Sequence, residues 1–214
     1  MLNTANNIAN ASTSSTLFSL RAIALILLLS SLSFISGCST PTIKSNAQQR
    51  SYQEQIQLSG RLSIYYQEKG ENKLLSADYE WSQQSQEIKI TFLTQLGQTM
   101  AVITQTPHMA SLEQSKQATR YAANLEELMN ENFGWSLPVT GLKDWLQGFT
   151  VNSQGSKIAL ESKNYLQLEN QSWQLNYVSW QEKAGKVLPK RLDLERETEH
   201  FGNLKLIIFI DELN

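Results

Sequence analysis

One cysteine, two histidines and no cluster of Lys or Arg are all that this chain offers to disulfide, metal or nucleic-acid chemistry. A single thiol excludes an intrachain disulfide. His108 and His200 stand too far apart in the sequence to suggest metal-ligand spacing. The net charge is −2, and the only charge before Cys38 is Arg21, so loss of that segment takes −2 to −3. Phosphate contacts need concentrated positive charge, so a mildly acidic chain of this kind is not expected to bind nucleic acid. No Gly-x-Ser-x-Gly turn and no phosphate-cradling Gly/Lys loop occurs. Glu199-His200 sits in a charged loop, and Asp78 and Glu80 share the polar face of a strand, where a glycosidase pair is less expected than plain surface. No catalytic residue, cofactor site or metal site is expected. What the chain has instead is an apolar share of 41% and an aromatic share of 9% in 214 residues, enough for one cored domain with extensions.

The N-terminal segment reads as an address. Residues 1–20 are rich in Asn, Ser and Thr and uncharged; Arg21 follows, then an apolar run from Ala22 through Ser-diluted positions to Ile35. A membrane-spanning helix needs about 20 apolar residues, and this run is shorter. A basic residue, an apolar stretch and then small residues is the layout of a secretory signal. It ends in Ile35-Ser36-Gly37-Cys38, which resembles the bacterial lipobox, with Ile35 where Leu is commoner. That resemblance implies acylation of Cys38, which becomes the first mature residue, and an anchor of several acyl chains, firm where one chain is marginal. Ser39, in place of the Asp that retains such proteins in the inner membrane, implies sorting to the outer membrane. An uncleaved signal anchor is the alternative. The expected organisation is a signal over 1–37, an acylated tether over 38–54 and a folded domain over 55–214.

The folded domain is organised around Ile88–Thr104. Ile88, Ile90 and Phe92 alternate with Lys89 and Thr91, and Met100 and Val102 alternate with Thr99 and Ala101, which reads as two antiparallel strands. Their connection, Thr94-Gln95-Leu96-Gly97-Gln98, sets a bare leucine at a hairpin tip, where Asn, Asp or Ser is usual. Leu96 either folds back onto a core or is a hydrophobic finger for something apolar outside. Around this hairpin, Leu58, Gly60, Leu62, Ile64 and Tyr66 share one strand face, and Leu75, Ala77, Tyr79 and Trp81 another. Later strands are read at Met109–Glu113, Gln117–Ala122, Lys157–Glu161, Tyr165–Glu169, Trp173–Trp180, Leu188–Glu195 and Leu204–Leu213. The total is about eleven short antiparallel strands, the pattern of a barrel or strongly curved sheet. Asn124 with Glu127 is a helix-start signature, Leu125, Leu128 and Met129 follow at helical spacing, and Leu142, Trp145 and Leu146 form a second short stripe. Two short helices amid antiparallel strands must lie over an open end or face of the sheet.

Several fragments, in order and spacing, then point one way. They are Ser59-Gly60-Arg61-Leu62, Trp81, Leu96-Gly97-Gln98-Thr99, Glu126-Glu127-Leu128, Gly134-Trp135 with Leu137-Pro138-Val139, Leu142, Trp145 and Gly148, then Trp173-Gln174-Leu175-Asn176-Tyr177 and Leu188-Pro189. Downstream of a lipobox, this series resembles the LolB family of outer-membrane lipoprotein receptors, over about Gln55 to Leu213. The resemblance implies a mainly β fold, an unclosed antiparallel barrel with short helices as a lid over an apolar cavity. It also implies the role: lipoproteins are accepted from a soluble, LolA-type periplasmic carrier and inserted into the outer membrane, by a monomer facing the periplasm. The family's protruding leucine falls on Leu96, in a loop Gln95-Leu96-Gly97 that meets membrane phospholipid; the family commonly has proline where Gln95 stands. The acyl chains of the cargo are expected against Leu62, Ile64 and Tyr66, Tyr79 and Trp81, and Phe92, Met100 and Val102 of the sheet. Leu128, Met129, Leu142 and Trp145 of the helices and Leu175 and Tyr177 of a late strand complete the expected wall. The competing class is a lipoprotein that scaffolds an assembly or binds lipid without transferring it.

Overall fold

The computed structural model describes residues 50–213 apart from Gln171 and Ala184. Cys38, the expected signal and most of the expected tether lie outside the described residues. Twelve strands occur among the described residues: β1 (Gln55–Glu68), β2 (Glu71–Gln84), β3 (Glu87–Leu93), β4 (Thr99–Gln105), β5 (Ala110–Gln114) and β6 (Arg120–Ala122), then β7 (Phe149–Val151), β8 (Lys157–Ala159), β9 (Leu166–Asn170), β10 (Trp173–Lys183), β11 (Lys186–Thr198) and β12 (Gly202–Leu213). Between β6 and β7 come two helices, α1 (Leu125–Phe133) and α2 (Val139–Trp145). Ten strands form one antiparallel sheet in the order β6-β5-β4-β3-β2-β1-β12-β11-β10-β9. Its two edges, β6 and β9, do not pair, so the barrel is unclosed as expected. The twelfth strand beyond the expected eleven is β7, which pairs with β8 in a separate hairpin; three residues are too few to display an alternation.

The sheet is two meanders joined at one seam. β1 to β6 follow each other in space as in sequence, and β12 returns to lie beside β1. That central position explains why β12 is apolar on both faces. Leu204, Leu206, Ile208 and Ile210 are buried on the inner face. On the outer face Phe209 is flanked by the Arg61 and Arg191 guanidinium groups, at 4.9 and 5.4 Å from its ring centre. At the seam the β1–β12 register shifts between Ser59 and Gly60, and the missing side chain of Gly60 is what admits the Phe209 carbonyl. Pro189, expected at an edge or strand start, lies in an interior strand; the β11–β12 pairing begins only at Arg191, so its missing N–H interrupts no ladder on that side.

Helix α1 starts and stops where local chemistry dictates. The Asn124 side chain accepts from the Glu127 N–H at 2.9 Å, and the Glu127 carboxylate accepts from the Ala123 N–H at 3.1 Å. Gly134, at φ +74°, closes α1 by donating its N–H to the Asn130 carbonyl. The buried side chains of α1 and α2, among them Leu125, Leu128, Met129 and Leu142, join one hydrophobic core with the inner face of the sheet.

Candidate functional site: an apolar hollow and an exposed leucine

The core is not filled evenly. Between the inner face of β1–β5 and helix α1 lies a cavity of about 280 Å³. Its wall is drawn from Leu62 and Ile64 on β1, Leu75 and Ala77 on β2, Phe92 on β3, Met100, Ala101 and Ile103 on β4, and Leu112 and Gln114 on β5. Met129 and Phe133 of α1, with Trp135 and Leu137 beyond it, close the other side. A narrow void of about 30 Å³ lies against the same Leu62, Phe92 and Leu137 and reaches Tyr79, Trp81, Ile90, Leu142, Leu146, Leu206 and Ile208. No charged side chain lines either space.

The cavity opens beside the β3–β4 hairpin. Met100 lies two residues past the loop, and Leu75 projects beyond the point where β3 leaves β2, at the Asp78–Leu93 pair. Both are about half exposed, at 46% and 47%. The loop itself is tied by its own backbone: the Thr94 N–H donates to the Gln98 carbonyl and the Gly97 N–H to the Thr94 carbonyl, each at 2.8 Å. Gly97 takes φ +75°, a conformation that glycine adopts without strain. These bonds leave Leu96 nothing to fold onto, and it is 86% exposed, the most exposed of the large hydrophobic residues described. The alternative in which Leu96 is a core residue is therefore excluded.

The fourteen side chains expected along the wall divide in two. Leu62, Ile64, Tyr79, Trp81, Phe92, Met100, Met129 and Leu142 line the cavity or the narrow void. Val102 is a correction: it pairs with Thr91 and Glu113 on the outer face. A bulge between Phe92 and Leu93 breaks the alternation of β4, so Met100 stays on the wall while Ala101 and Ile103, not Val102, face inward. Tyr66 packs edge-on against Phe201, with ring centres 6.0 Å apart, and lines neither space. Leu128, Trp145, Leu175 and Tyr177 are corrected likewise: each is at most 1% exposed and belongs to solid core. Sequence reasoning missed Leu112, Phe133, Trp135 and Leu137; the last three lie at the end of α1 and in the turn after it, where no periodicity signals a buried face.

The two helices are held differently. The Tyr177 hydroxyl donates to the Trp145 carbonyl at 3.2 Å, and Lys157 pairs with buried Asp144 at 2.5 Å. Gln147, just past α2, exchanges two bonds with the Gln53 backbone, at 2.9 and 3.0 Å. Tyr52, which accepts from Gln83 Nε2 at 3.1 Å, has its phenol pushed up to about 12, chiefly by burial. So α2 is strapped to the segment ahead of β1. By contrast, α1 is tied to its neighbours by the Leu125 N–H on the Gln105 side chain at 2.7 Å and by Arg120 on Asn132 at 2.5 Å, the second an exposed contact.

The family model described as "Outer membrane lipoprotein LolB" matches residues 54–211. An outer-membrane lipoprotein LolB of Cupriavidus necator is 34% identical over 142 residues, covering 66% of this chain and 72% of that protein. One from Cupriavidus metallidurans is 30% identical over 185 residues, covering 83% of this chain and 89% of that protein. Among solved structures, a LolA superfamily protein from Nitrosomonas europaea superposes with a TM-score of 0.45 at 10% identity, covering 78% of this chain and 89% of that one.

Proposed function

The chain belongs to the LolB family of outer-membrane lipoproteins, and from that premise we propose that it accepts acylated lipoproteins from a LolA-type soluble periplasmic carrier and inserts them into the outer membrane. On this reading Cys38 carries the lipid anchor, the domain faces the periplasm as a monomer, the hollow takes acyl chains and Leu96 touches phospholipid. No catalytic step is needed. The observation that carries the reading is the pairing of an uncharged hollow with a bare leucine beside its mouth.

The energetics call for such a handler. At about 0.8 kcal/mol per methylene, bringing one sixteen-carbon chain into water costs roughly 12 kcal/mol. Transfer across an aqueous gap therefore requires an apolar pocket at each stage, and differences in affinity along the route supply the direction. A cavity of about 280 Å³ falls just below the usual span of ligand pockets, about 300–1,000 Å³. Loading thus goes with outward movement of the lid, and α1, less firmly strapped than α2, is the part that yields. Leu96 contributes about 1.5–3 kcal/mol on burial in lipid, enough to orient a loop already at the surface and too little to anchor the protein.

Leu96→Glu separates the two roles. The full-length variant should fold normally and take lipoprotein from the carrier, yet leave it undelivered to liposomes. Delivery at the unsubstituted rate would remove Leu96 from the mechanism.

A further inference from the structure

One inward side chain at the hollow is out of keeping with the rest. Gln114 follows Ala110 and Leu112 on the buried side of β5, sits opposite Ala101 in register, and lines the cavity where Met100 and Leu75 mark its mouth. The other hydroxyl or amide residue on the wall, Ser76, has its hydroxyl turned to Ser63 Oγ at 3.2 Å. No described residue hydrogen-bonds the Gln114 side-chain amide, which remains within reach of water instead of being a buried orphan. Its backbone carbonyl is engaged by the Gln117 N–H, so the strand is fixed while the amide is left free.

An amide at the rim of an uncharged hollow selects the end of the chain it meets. An acyl ester or amide presents a neutral carbonyl, which the Gln114 N–H₂ can receive as a donor. A free fatty acid presents a carboxylate, which the same N–H₂ can also receive, but no cationic side chain on the wall meets its charge, so the hydration it loses at the apolar rim is returned only in part. A plain hydrocarbon gains nothing from the amide. Resting on the reading of the hollow as an acyl site, we propose that Gln114 is its head-group stop. It donates to the carbonyl that joins an acyl chain to the cargo, so that the site takes chains ending in a neutral acyl linkage in preference to free fatty acids.

The test compares three photoreactive sixteen-carbon probes on full-length protein in nanodiscs: a glyceride ester, the free acid and the alkane. Adducts on α1 and β4 peptides are counted by mass spectrometry. The ester should label the hollow more than the acid. Gln114→Met should cut ester labelling roughly two- to twelvefold, the worth of one neutral hydrogen bond, and leave alkane labelling unchanged. Gln114→Glu should do the same, which guards against a folding defect peculiar to the first variant. Equal loss for ester and alkane, or no loss for either, overturns the proposal while the hollow stands as an acyl site. Failure of all three probes to label the unsubstituted protein overturns that reading and this proposal together.

Discussion

The two meanders of the sheet face the same core and treat it in opposite ways. On the side of β9–β12 and α2, Trp145, Trp173, Tyr177, Leu192, Leu194 and Leu204 are each at most 2% exposed, and of the two spaces only the narrow void of about 30 Å³ reaches this side, at Leu142, Leu206 and Ile208. On the side of β1–β5 and α1, residues of the same chemical kind surround empty space. The polar ties are divided in the same way, with α2 held by Tyr177, Lys157 and Gln53. The more tightly packed side thus lies beside the side that holds the proposed acyl site.

Substitutions should divide along the same line. The largest effect is expected in the packed half: Trp145→Ala removes a side chain that is 1% exposed and should cost about 3–5 kcal/mol in chemical denaturation. Met129→Ala, against the hollow, should fall near the bottom of the range for such truncations, about 2 kcal/mol, because part of its surroundings is already void. Equal costs at the two sites would erase the distinction. Alkaline pH separates the buried phenols from the cavity wall. The phenols of Tyr52, Tyr79 and Tyr177 are all pushed up, first by burial, Tyr52 to about 12. Below pH 10 they are neutral folded and unfolded alike; above it the unfolded chain ionises first, so stability should decline from pH 10 through about 12. The cavity wall has no titratable side chain, so labelling by the ester probe should stay flat between pH 6 and 9.

Much of this was legible in the chain. The alternation of β1, β2 and β3, the cap at Asn124 and the glycine that ends α1 are local patterns, and the structure carries each of them. The division between hollow and core was not. Leu175 and Leu62 have the same hydrophobicity and the same strand periodicity; they differ only in whether a distant element fills the space opposite. The inward face of β4 departs from its sequence alternation for a related reason. The bulge that moves Val102 outward depends on how β3 and β4 pair, and no residue within β4 announces it. Gln114 carries no signal in the sequence, because a glutamine at a strand end is ordinary surface unless the strand ends at a cavity mouth.

The measurement that bears most directly on the hollow is carrier-to-receptor transfer with the space filled. Ala77 is a small residue on the wall, on a strand that tolerates aromatic side chains. Full-length Ala77→Phe, in liposomes, is offered a labelled lipoprotein on the soluble carrier while its thermal midpoint is recorded. An unchanged midpoint with acceptance abolished is the predicted result; acceptance at the unsubstituted level by the filled, folded variant would contradict the account.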